Sequence, residues 1–294
     1  MLINDEICAI IVTYNPGKEV VFNVKELYRQ IKTIVIVDNG SISISKKYIE
    51  QIGDLYKCKI IYNGENLGIA TALNIGVKYA IKNGYKWVAT FDQDSTVTQN
   101  MIKVMENVYK AFPEKETLAI ISPKHIQKKL FKEDIMLSIK NSSRYHIQIP
   151  VMASGNIIRI DIFKDVGFFN DDLFIDYVDY EFCFRCKIKG YLILEADDAI
   201  LKHHSGNLKT HLFMGKKFTV ANYSYIRRYY ISRNKIYIYK KYGKFFPKFM
   251  LLHALDSIKE IVGIIFFEKN KAKKFIYIIK GINDGVKNKF GKML

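Results

Sequence analysis

Two aspartates separated by a single glutamine carry the clearest chemical signal in this sequence. They are Asp92 and Asp94, and they follow the apolar run 87–91. An Asp-x-Asp at the mouth of a strand places both carboxylates on the same side of the pleat. Hard cations such as Mg²⁺ and Mn²⁺ prefer oxygen ligands and bind through one or two carboxylates together with substrate phosphates. The pair therefore indicates a divalent-metal site, with an acidic turn as the alternative interpretation.

Short polar segments also follow the three preceding apolar runs. The four predicted strand ends read Thr13-Tyr14-Asn15-Pro16, Asp38-Asn39-Gly40-Ser41, Asn63-Gly64-Glu65-Asn66 and Asp92-Gln93-Asp94-Ser95. Helical patterns separate these runs, which predicts parallel pairing in an α/β sheet. Open α/β sheets bind ligands at the carboxyl ends of their strands. Four such ends on one edge predict a nucleotide-sized site that contains a cation.

The elements that must position these residues follow from the hydrophobic pattern. Predicted strands cover residues 7–14, 33–37, 59–62, 86–91 and 191–194, and predicted helices cover 18–31, 45–52, 68–81 and 101–111. Helices are recognised by the i, i+3/i+4 spacing of apolar residues, and buried parallel strands by continuous apolar runs. The basic, polar stretch 124–149 is interpreted as a long excursion over the surface.

The composition indicates a globular protein with a substantial core. The chain has 294 residues, of which 49% are hydrophobic and 26% charged, enough for one large domain or two small ones. Its first residues lack the basic segment of a signal peptide. Cys183 and Cys186 form a C-x-x-C without a second pair inside a helical pattern, which disfavours a metal or redox role. Reduced cysteines make a cytoplasmic setting the default expectation.

Positive charge is concentrated in the C-terminal part of the chain. The formal net charge is +17, and residues 240–294 hold thirteen lysines and four acidic residues among many bulky apolar ones. None of the uncharged apolar runs there approaches the ~18 residues that span a bilayer. Basic and apolar faces on one helix suit an anionic membrane surface, although packing on the domain or a homodimer face is the alternative. A nucleic-acid partner is not expected, because no recognition motif is present.

Taken in order, the motifs resemble those of the family 2 glycosyltransferases with a GT-A fold, and most of all bacterial rhamnosyltransferases of O-antigen and capsule synthesis. The resemblance covers about residues 7–240. Its pieces are Thr13-Tyr14-Asn15-Pro16, Val37-Asp38-Asn39-Gly40-Ser41, Asn66-Leu67-Gly68-Ile69-Ala70, Ala72-Leu73-Asn74, Asp92-Gln93-Asp94-Ser95, Ser154-Gly155-Asn156, residues 174–181, His203-x-x-Gly206 and Tyr229-Tyr230-x-x-Arg233-Asn234.

This resemblance implies the fold and the activity. The fold would be a Rossmann-like α/β domain over residues 1–240, with a mixed, mainly parallel sheet flanked by helices. Residues 241–294 lie beyond the resemblance, and their charge and apolar residues predict a basic amphipathic helical extension that associates with the membrane. The activity would be inverting, metal-dependent transfer from dTDP-L-rhamnose to a lipid-linked saccharide. UDP-galactofuranose, UDP-glucose and UDP-galactose stay open as donors, and a non-catalytic membrane-surface binding protein stays open as another class.

The resemblance also assigns roles to individual residues. The nucleotide sugar would contact Thr13, Tyr14, Asn15, Asp38, Asn66, Gly68, Asp92 and Arg233. Within that set Asp38 would accept a hydrogen bond from a pyrimidine ring N–H, and Arg233 would give the diphosphate a forked donor. Mg²⁺ or Mn²⁺ would be held by Asp92, Asp94 and His203, with His204 as an alternative to the histidine.

The catalytic base implied by the resemblance is Asp179. It would take the proton of the acceptor hydroxyl during a single displacement. Many relatives carry Glu-Asp at this point, whereas here Val178 precedes Asp179, so Asp176 competes for the role. Glu181 is expected to orient either the acceptor or a neighbouring Lys or Arg.

Overall fold

The computed structural model describes residues 6–128, 142–203, 209–213 and 216–293, and the chain divides into two structural units. The first unit contains the chain up to Asp171 and the segment Val178–His204. The second contains Asp172–Tyr177 and the chain from Ser205 onward. The short segment Asp172–Tyr177 therefore belongs to a different unit from the residues on either side of it.

Four parallel strands form one half of the sheet in the first unit, in the order β3-β2-β1-β4. They are β1 (Ile7–Thr13), β2 (Ile34–Asp38), β3 (Lys59–Tyr62) and β4 (Trp87–Asp92). The helices that accompany them are α1 (Glu19–Tyr28), α2 (Ser43–Tyr56), α3 (Ile69–Lys82) and α4 (Met101–Ala111). Every residue of β1 and β2 is buried, as their continuous apolar sequences predict. The carboxyl ends of all four strands lie on the same edge.

The other half of the sheet mixes strand directions. It adds β5 (Thr96–Val97), β6 (Leu118–Gln127), β7 (Tyr145–Ile147), β8 (Ile157–Arg159) and β9 (Leu192–His203). The order continues from β4 as β8-β6-β9-β5, and β7 pairs with β9. β8 runs antiparallel to β4 and β6, and β5 and β7 run antiparallel to β9. The other six of these strands share one direction, so the sheet is mixed but mainly parallel. Two further helices of this unit are α5 (Ile162–Val166) and α6 (Val178–Ile188).

β9 is longer than predicted, and β6, for which no strand is predicted, enters the stretch interpreted as a surface excursion. β9 continues from the expected Leu194 to His203, and β6 continues through Gln127. The extensions pair with each other in parallel, with Gln127 opposite His203. The charged residues of these extensions interrupt the apolar pattern that would predict a strand. On β9, Ala196, Ala199 and Leu201 are buried. Of the stretch expected as a surface excursion, residues 124–127 and 145–147 are therefore strand, and residues 129–141 lie outside the described ranges.

The second unit is built mainly from three long helices. They are α7 (Tyr225–Tyr242), α8 (Pro247–Phe267) and α9 (Lys271–Val286), and a hairpin of β10 (Lys209–Phe213) and β11 (Lys216–Val220) precedes them. α9 approaches α7 closely at Gly281 and Gly285, since a Cβ atom at these positions would collide with the carbonyl oxygens of Tyr229 and Arg233 respectively. The boundary expected between residues 240 and 241 falls within α7. Among the described residues, none of the helices has the length and apolar character needed to cross a bilayer.

Candidate active site

The Asp-x-Asp segment is fixed to the neighbouring strand end by the glutamine between its two acids. The Gln93 side chain accepts a hydrogen bond from the Tyr14 backbone N–H at 2.8 Å and donates one to the Tyr14 carbonyl at 3.2 Å. The pairing joins the ends of the adjacent strands β1 and β4. Tyr14 itself remains 47% exposed, so its ring is available for stacking on a ligand.

Asp38, at the end of β2, organises the first two strand ends from the inside. It is fully buried, and its carboxylate accepts hydrogen bonds from the Thr13 hydroxyl at 3.2 Å and from the backbone N–H and hydroxyl of Ser41. Ser41 in turn accepts a hydrogen bond from the Asn15 backbone N–H at 2.8 Å. The sequence places Asp38 at the correct edge, but the carboxylate expected to meet a ligand base points into this network.

Asn39 connects β2 to the segment that begins α3. Its side-chain oxygen accepts from the Leu67 backbone N–H and the Asn63 amide, both at 3.1 Å. Its amide group donates to Asn66 Oδ1 at 3.0 Å and to the Gly68 carbonyl at 3.2 Å. Gly68 has a φ of 89°, a conformation that glycine adopts freely, and it leads directly into the helix. The network gives the loop before α3 a defined backbone at the sheet edge.

Asp92, Asp94 and His203 form the metal-type cluster predicted from the sequence. One possible ligand atom from each lies within 4.8 Å of the others. All three side chains are partly exposed, and His203 Nδ1 lies 3.9 Å from Asp94 Oδ1. Two carboxylates and an imidazole are a donor set that suits Mn²⁺ or Mg²⁺. His204, the expected alternative ligand, lies outside the described residues.

Two serines and a second histidine support this cluster from behind. Ser154 Oγ accepts from the Asp92 backbone N–H at 3.0 Å and donates to Ser95 Oγ at 2.8 Å. Ser95 Oγ lies 3.2 Å from His203 Nδ1. His125 Nε2 donates to the Ser154 carbonyl at 2.7 Å, and burial lowers the pKa of His125 to about 4. A neutral His125 therefore supports the cluster at physiological pH without adding charge.

The predicted base Asp179 stands in the first turn of α6. Its carboxylate accepts hydrogen bonds from the Ala153 backbone N–H at 3.2 Å and from the Tyr180 backbone N–H at 2.9 Å. Ala153 directly precedes Ser154, and its carbonyl accepts from the Thr90 hydroxyl of β4 at 2.5 Å. One short loop thus touches both the metal-type cluster and the carboxylate of Asp179.

Glu181 serves an arginine, one of the two roles expected of it. It is 1% exposed, and its carboxylate oxygens accept from Arg185 Nε at 2.8 and 3.0 Å. The guanidinium also donates to the Val166 and Phe168 carbonyls. This pair fixes α6 to the chain that follows α5, below the turn that carries Asp179.

Asp176 and Arg233, both named from the sequence, have their hydrogen-bond partners inside the second unit. The Asp176 carboxylate is bound by Arg227, with Arg227 Nη2 at 2.9 Å, which makes it a weaker candidate for the base than Asp179. Arg233, expected to bind a diphosphate, is 1% exposed. Its guanidinium donates to the carbonyls of Asp172, Leu173 and Gly291. The diphosphate contact of Arg233 stays a prediction, and it would require these donors to leave the carbonyls that they bind inside the second unit.

Sequence reasoning gave no role to His125, which lies in the stretch interpreted as a surface excursion. Its two neighbours, Lys124 and Ile126, offer no motif, and only its position in a strand extension brings it behind Ser154. Asn39, Gln93 and Ser95 lay inside recognised motifs, yet their individual contacts depend on which strand ends are neighbours. Their contacts could not be predicted from residue type, because they depend on the order of the strands in the sheet.

One family model and several curated proteins match this chain. The family model described as glycosyl transferase family 2 matches residues 8–157. The dTDP-rhamnosyl transferase RfbF of Shigella flexneri is 30% identical and aligns over 97% of this chain and 96% of its own. The hexosyltransferase Agl10 of Haloferax volcanii is 22% identical over 62% of each chain.

Solved structures show the same fold at low sequence identity. A mannosyltransferase of Pyrobaculum calidifontis, in complex with GDP-Man and Mn²⁺, superposes with a TM-score of 0.63 at 12% identity, covering 97% of this chain and 88% of that one. Residues 1–349 of S. aureus TarS superpose with a TM-score of 0.60 at 14% identity, covering 96% and 81% respectively.

Proposed function

The chain belongs to glycosyl transferase family 2, and we propose that this glycosyltransferase moves L-rhamnose from dTDP-L-rhamnose to a lipid-linked saccharide in surface-polysaccharide synthesis. The observation that carries the donor is the 30% identity to a dTDP-rhamnosyl transferase along nearly the whole of both chains. UDP-galactofuranose, UDP-glucose and UDP-galactose are the competing donors, because none of the described side chains reads a 6-deoxy sugar uniquely.

The donor nucleotide is proposed to bind along the ends of β1, β2 and the loop before α3. Thr13, Tyr14, Asn15, Asn66 and Gly68 lie there, and their hydrogen-bond networks support this assignment. Asp38 holds Thr13 and Ser41 in place from within. A direct bond from Asp38 to a base would require its buried carboxylate to turn outward.

Asp92, Asp94 and His203 are proposed to hold Mg²⁺ or Mn²⁺ together with the donor diphosphate. The fit rests on the three convergent ligand atoms and on their partial exposure, which leaves room for phosphate oxygens. When bound, the ion neutralises charge on the departing diphosphate as a Lewis acid. Ser95 fixes the ring of His203, and Ser154 fixes the backbone of Asp92, so the ligands need little reorganisation.

Asp179 is proposed as the general base. It takes the proton from the acceptor hydroxyl as that oxygen forms a bond to the anomeric carbon. The bond from the anomeric carbon to the diphosphate oxygen breaks on the opposite face, and the configuration inverts. The backbone N–H groups of Ala153 and Tyr180 donate to the carboxylate and hold it in place.

The second unit is proposed to bring the enzyme to the inner face of the cell membrane. Residues 240–294 carry a net charge of 13 − 4 = +9, and α8 and α9 expose apolar side chains. Anionic lipid is the partner that satisfies both features, and it is where a lipid-linked acceptor resides. A homodimer through the same surface is the competing arrangement.

A thermal-shift panel of nucleotide sugars, each with and without Mn²⁺, tests this function. A ligand that binds only the folded state raises the melting temperature by mass action. We expect dTDP-L-rhamnose with Mn²⁺ to give the largest shift and dTDP alone a smaller one. A larger shift with a UDP-sugar would show that this UDP-sugar, and not dTDP-L-rhamnose, is the donor. The absence of any nucleotide-dependent shift would contradict the proposed function.

A further inference from the structure

The segment Asp172–Tyr177, which leads directly into α6, has an unusual backbone. Phe174, Asp176 and Tyr177 have φ values of 62°, 63° and 65°, in the left-handed region that non-glycine side chains rarely occupy. Three such residues within four positions do not persist without strong support from their surroundings. Residues of α7 and α8 supply that support.

The side chain of Asn234, on α7, binds backbone carbonyl groups of this segment. Its side-chain amide nitrogen lies 2.8 Å from the Leu173 carbonyl, 2.8 Å from the Ile175 carbonyl and 2.9 Å from the Asp176 carbonyl. The residue is fully buried, so its amide has no competing contact with water. A single NH₂ group shared by three carbonyls defines the path of the chain from the end of the short 3₁₀ turn Asp171–Leu173 to the start of α6.

Arg233 binds the carbonyl of one further residue of the segment, Asp172. Its Nη2 donates to the carbonyls of Asp172 at 3.1 Å and Leu173 at 3.0 Å, while its Nε donates to Asn234 Oδ1 at 3.0 Å. The last contact fixes the Asn234 amide so that its nitrogen faces the segment. Arg233 and Asn234 together therefore bind the carbonyls of four of the six residues.

Side-chain contacts inside the second unit secure the strained residues individually. Arg227 binds the Asp176 carboxylate, with a closest distance of 2.9 Å. The Tyr177 hydroxyl lies 2.9 Å from His253 Nε2. The Phe174 ring stacks on Tyr230 with centroids 5.0 Å apart. Each left-handed residue thus has its own anchor on α7 or α8.

We propose that Arg233 and Asn234 are positioning residues for the general base. Only Tyr177 and Val178 separate the bound carbonyl of Asp176 from Asp179, so the chain enters the first turn of α6 directly from the segment that Arg233 and Asn234 hold. The role rests on the proposed function, since it presumes that Asp179 accepts the proton. A displacement of about 1 Å in a catalytic group can cost about 10²-fold in rate, so a loosened segment should lower turnover without touching the donor.

Asn234→Asp tests the proposal with an almost isosteric change. A carboxylate has no donor and repels the three carbonyl oxygens, so the segment should detach. We expect kcat to fall about 10-fold or more, the donor KM to stay within about twofold, and hydrogen exchange to increase over residues 172–180. Asn283→Asp is the matched control, because this residue lies exposed on α9.

Arg227→Gln provides a second variant in case Asn234→Asp does not fold. The Arg227 side chain is 43% exposed, so its loss leaves the core intact while releasing Asp176. The same separation of kcat from donor KM is expected, with a smaller effect. Arg233→Lys keeps the charge but loses the fork, and it should resemble Asn234→Asp rather than the wild type.

The possible outcomes separate this proposal from the proposed function. A folded Asn234→Asp protein with wild-type kcat, or one in which the donor KM rises in step with the loss of kcat, would overturn the positioning role alone. A wild-type protein that transfers no sugar from any nucleotide sugar would overturn the proposed function, and the positioning role with it.

Discussion

At the scale of single residues, burial separates side chains of the same charge into different roles. Asp94 is partly exposed beside another carboxylate and a histidine, as a metal ligand requires. Asp38 is fully buried with both oxygens occupied, which makes it an organiser of neighbouring strand ends. Arg233 has the donors to bind a diphosphate, but carbonyl oxygens already occupy them. The residue type indicates which chemistry a side chain could perform, and its exposure determines whether a ligand can reach it.

Asp94→Asn should abolish most of the activity while preserving the fold. The change removes one ligand and one compensating charge, so transfer should fall by about 10²-fold or more. The side chain is 37% exposed, and the melting temperature without metal should therefore remain near that of the wild type. Transfer rates and the Mn²⁺-dependent thermal shift measure the two effects.

Asp54→Asn is the matched control for this variant, since Asp54 is exposed on α2 away from the sheet edge. It should retain both transfer and the metal-dependent shift. Undiminished transfer by the wild type in EDTA would contradict the metal assignment, whatever the behaviour of the variants.

Asp179→Asn should lower kcat by roughly 10²–10⁴-fold, because the amide cannot accept the proton of the acceptor hydroxyl. Donor affinity should barely change. The acidic limb of the kcat–pH profile should disappear, a result that mere displacement of the base would not produce. Stopped transfer assays with saturating donor between pH 5 and pH 9 would measure this.

Asp176→Asn is the informative comparison for the base. Its carboxylate is held by Arg227, so its neutralisation should lower kcat less and should keep the shape of the pH profile. If Asp176→Asn loses the acidic limb and Asp179→Asn keeps it, the base has been assigned to the wrong carboxylate.

At the scale of elements, the sequence predicted the half of the sheet that positions the donor-site residues and not the other half. β1 to β4 are continuous apolar runs bounded by turns, so their ends could be located within one residue or two. β9 beyond Leu194 mixes charged and apolar residues without a repeating pattern, and its strand form depends on pairing with β6. A further pairing of β9, with β5, places Lys202 opposite Thr96 and so brings His203 beside Asp94, which no local pattern encodes. The roles of Arg233 and Asn234 likewise depend on a non-local loop.

Three charged residues, Arg228, Glu268 and Lys274, are buried together among the helices of the second unit. Glu268 lies 2.8 Å from Arg228 Nη2 and 2.7 Å from Lys274 Nζ, and each of the three residues is 3% exposed. Removing the shared anion leaves two buried cations without their main partner, a change that costs about 3–5 kcal/mol. The contacts therefore couple the region after α8 to both α7 and α9.

Glu268→Gln should destabilise the protein by about that amount. Urea unfolding should show a lower midpoint, with transfer activity per folded molecule little changed. Glu260→Gln is the control, because Glu260 faces Arg228 at 3.8 Å with a side chain 43% exposed and should cost far less. Equal midpoints for the two variants would contradict the importance of burial here.

His253 on α8 should make stability depend on acid. Burial, and secondarily Lys235, lowers the pKa of His253 to about 4 from 6.5. Between those values the unfolded chain binds a proton that the folded chain does not, so the free energy of unfolding decreases as the pH falls from about 6.5 to about 4. Both ring nitrogens already lie near tyrosine hydroxyls, of Tyr177 and Tyr239.

His253→Phe keeps the ring that stacks on Phe249 and removes the titrating group. The variant should lose less melting temperature than the wild type between pH 6.5 and pH 4.5. His125, whose pKa is also lowered to about 4, is present in both proteins, so the difference between the two curves isolates His253. Parallel curves would show that His253 does not contribute to acid sensitivity.

At the scale of the whole molecule, net charge and exposed apolar surface coincide in the C-terminal helices. α8 exposes Leu251, Leu252, Leu255, Ile258, Ile261, Ile265 and Phe266, and α9 exposes Ile276, Ile279, Ile282 and Val286. Truncation near Lys240 would remove Glu268 and the glycines of α9 that pack on α7, so it would disturb folding as well as binding. Substitutions on the exposed face of α8 test membrane contact more cleanly.

Leu255→Gln with Ile258→Gln should weaken liposome binding without unfolding the protein. The two side chains are 48% and 58% exposed, so their replacement costs little in the folded state but removes apolar area that would insert among lipids. Wild-type protein should pellet with anionic liposomes at low salt, less with neutral ones, and should partly dissociate at high salt, since charges are screened beyond ~8–10 Å.

Ile44→Gln changes a 65% exposed residue on α2; it is the matched control and should bind like the wild type. If wild-type protein ignores anionic liposomes at low salt, the membrane proposal fails. A concentration-dependent dimer that the double variant abolishes would then assign this face to a second copy of the chain.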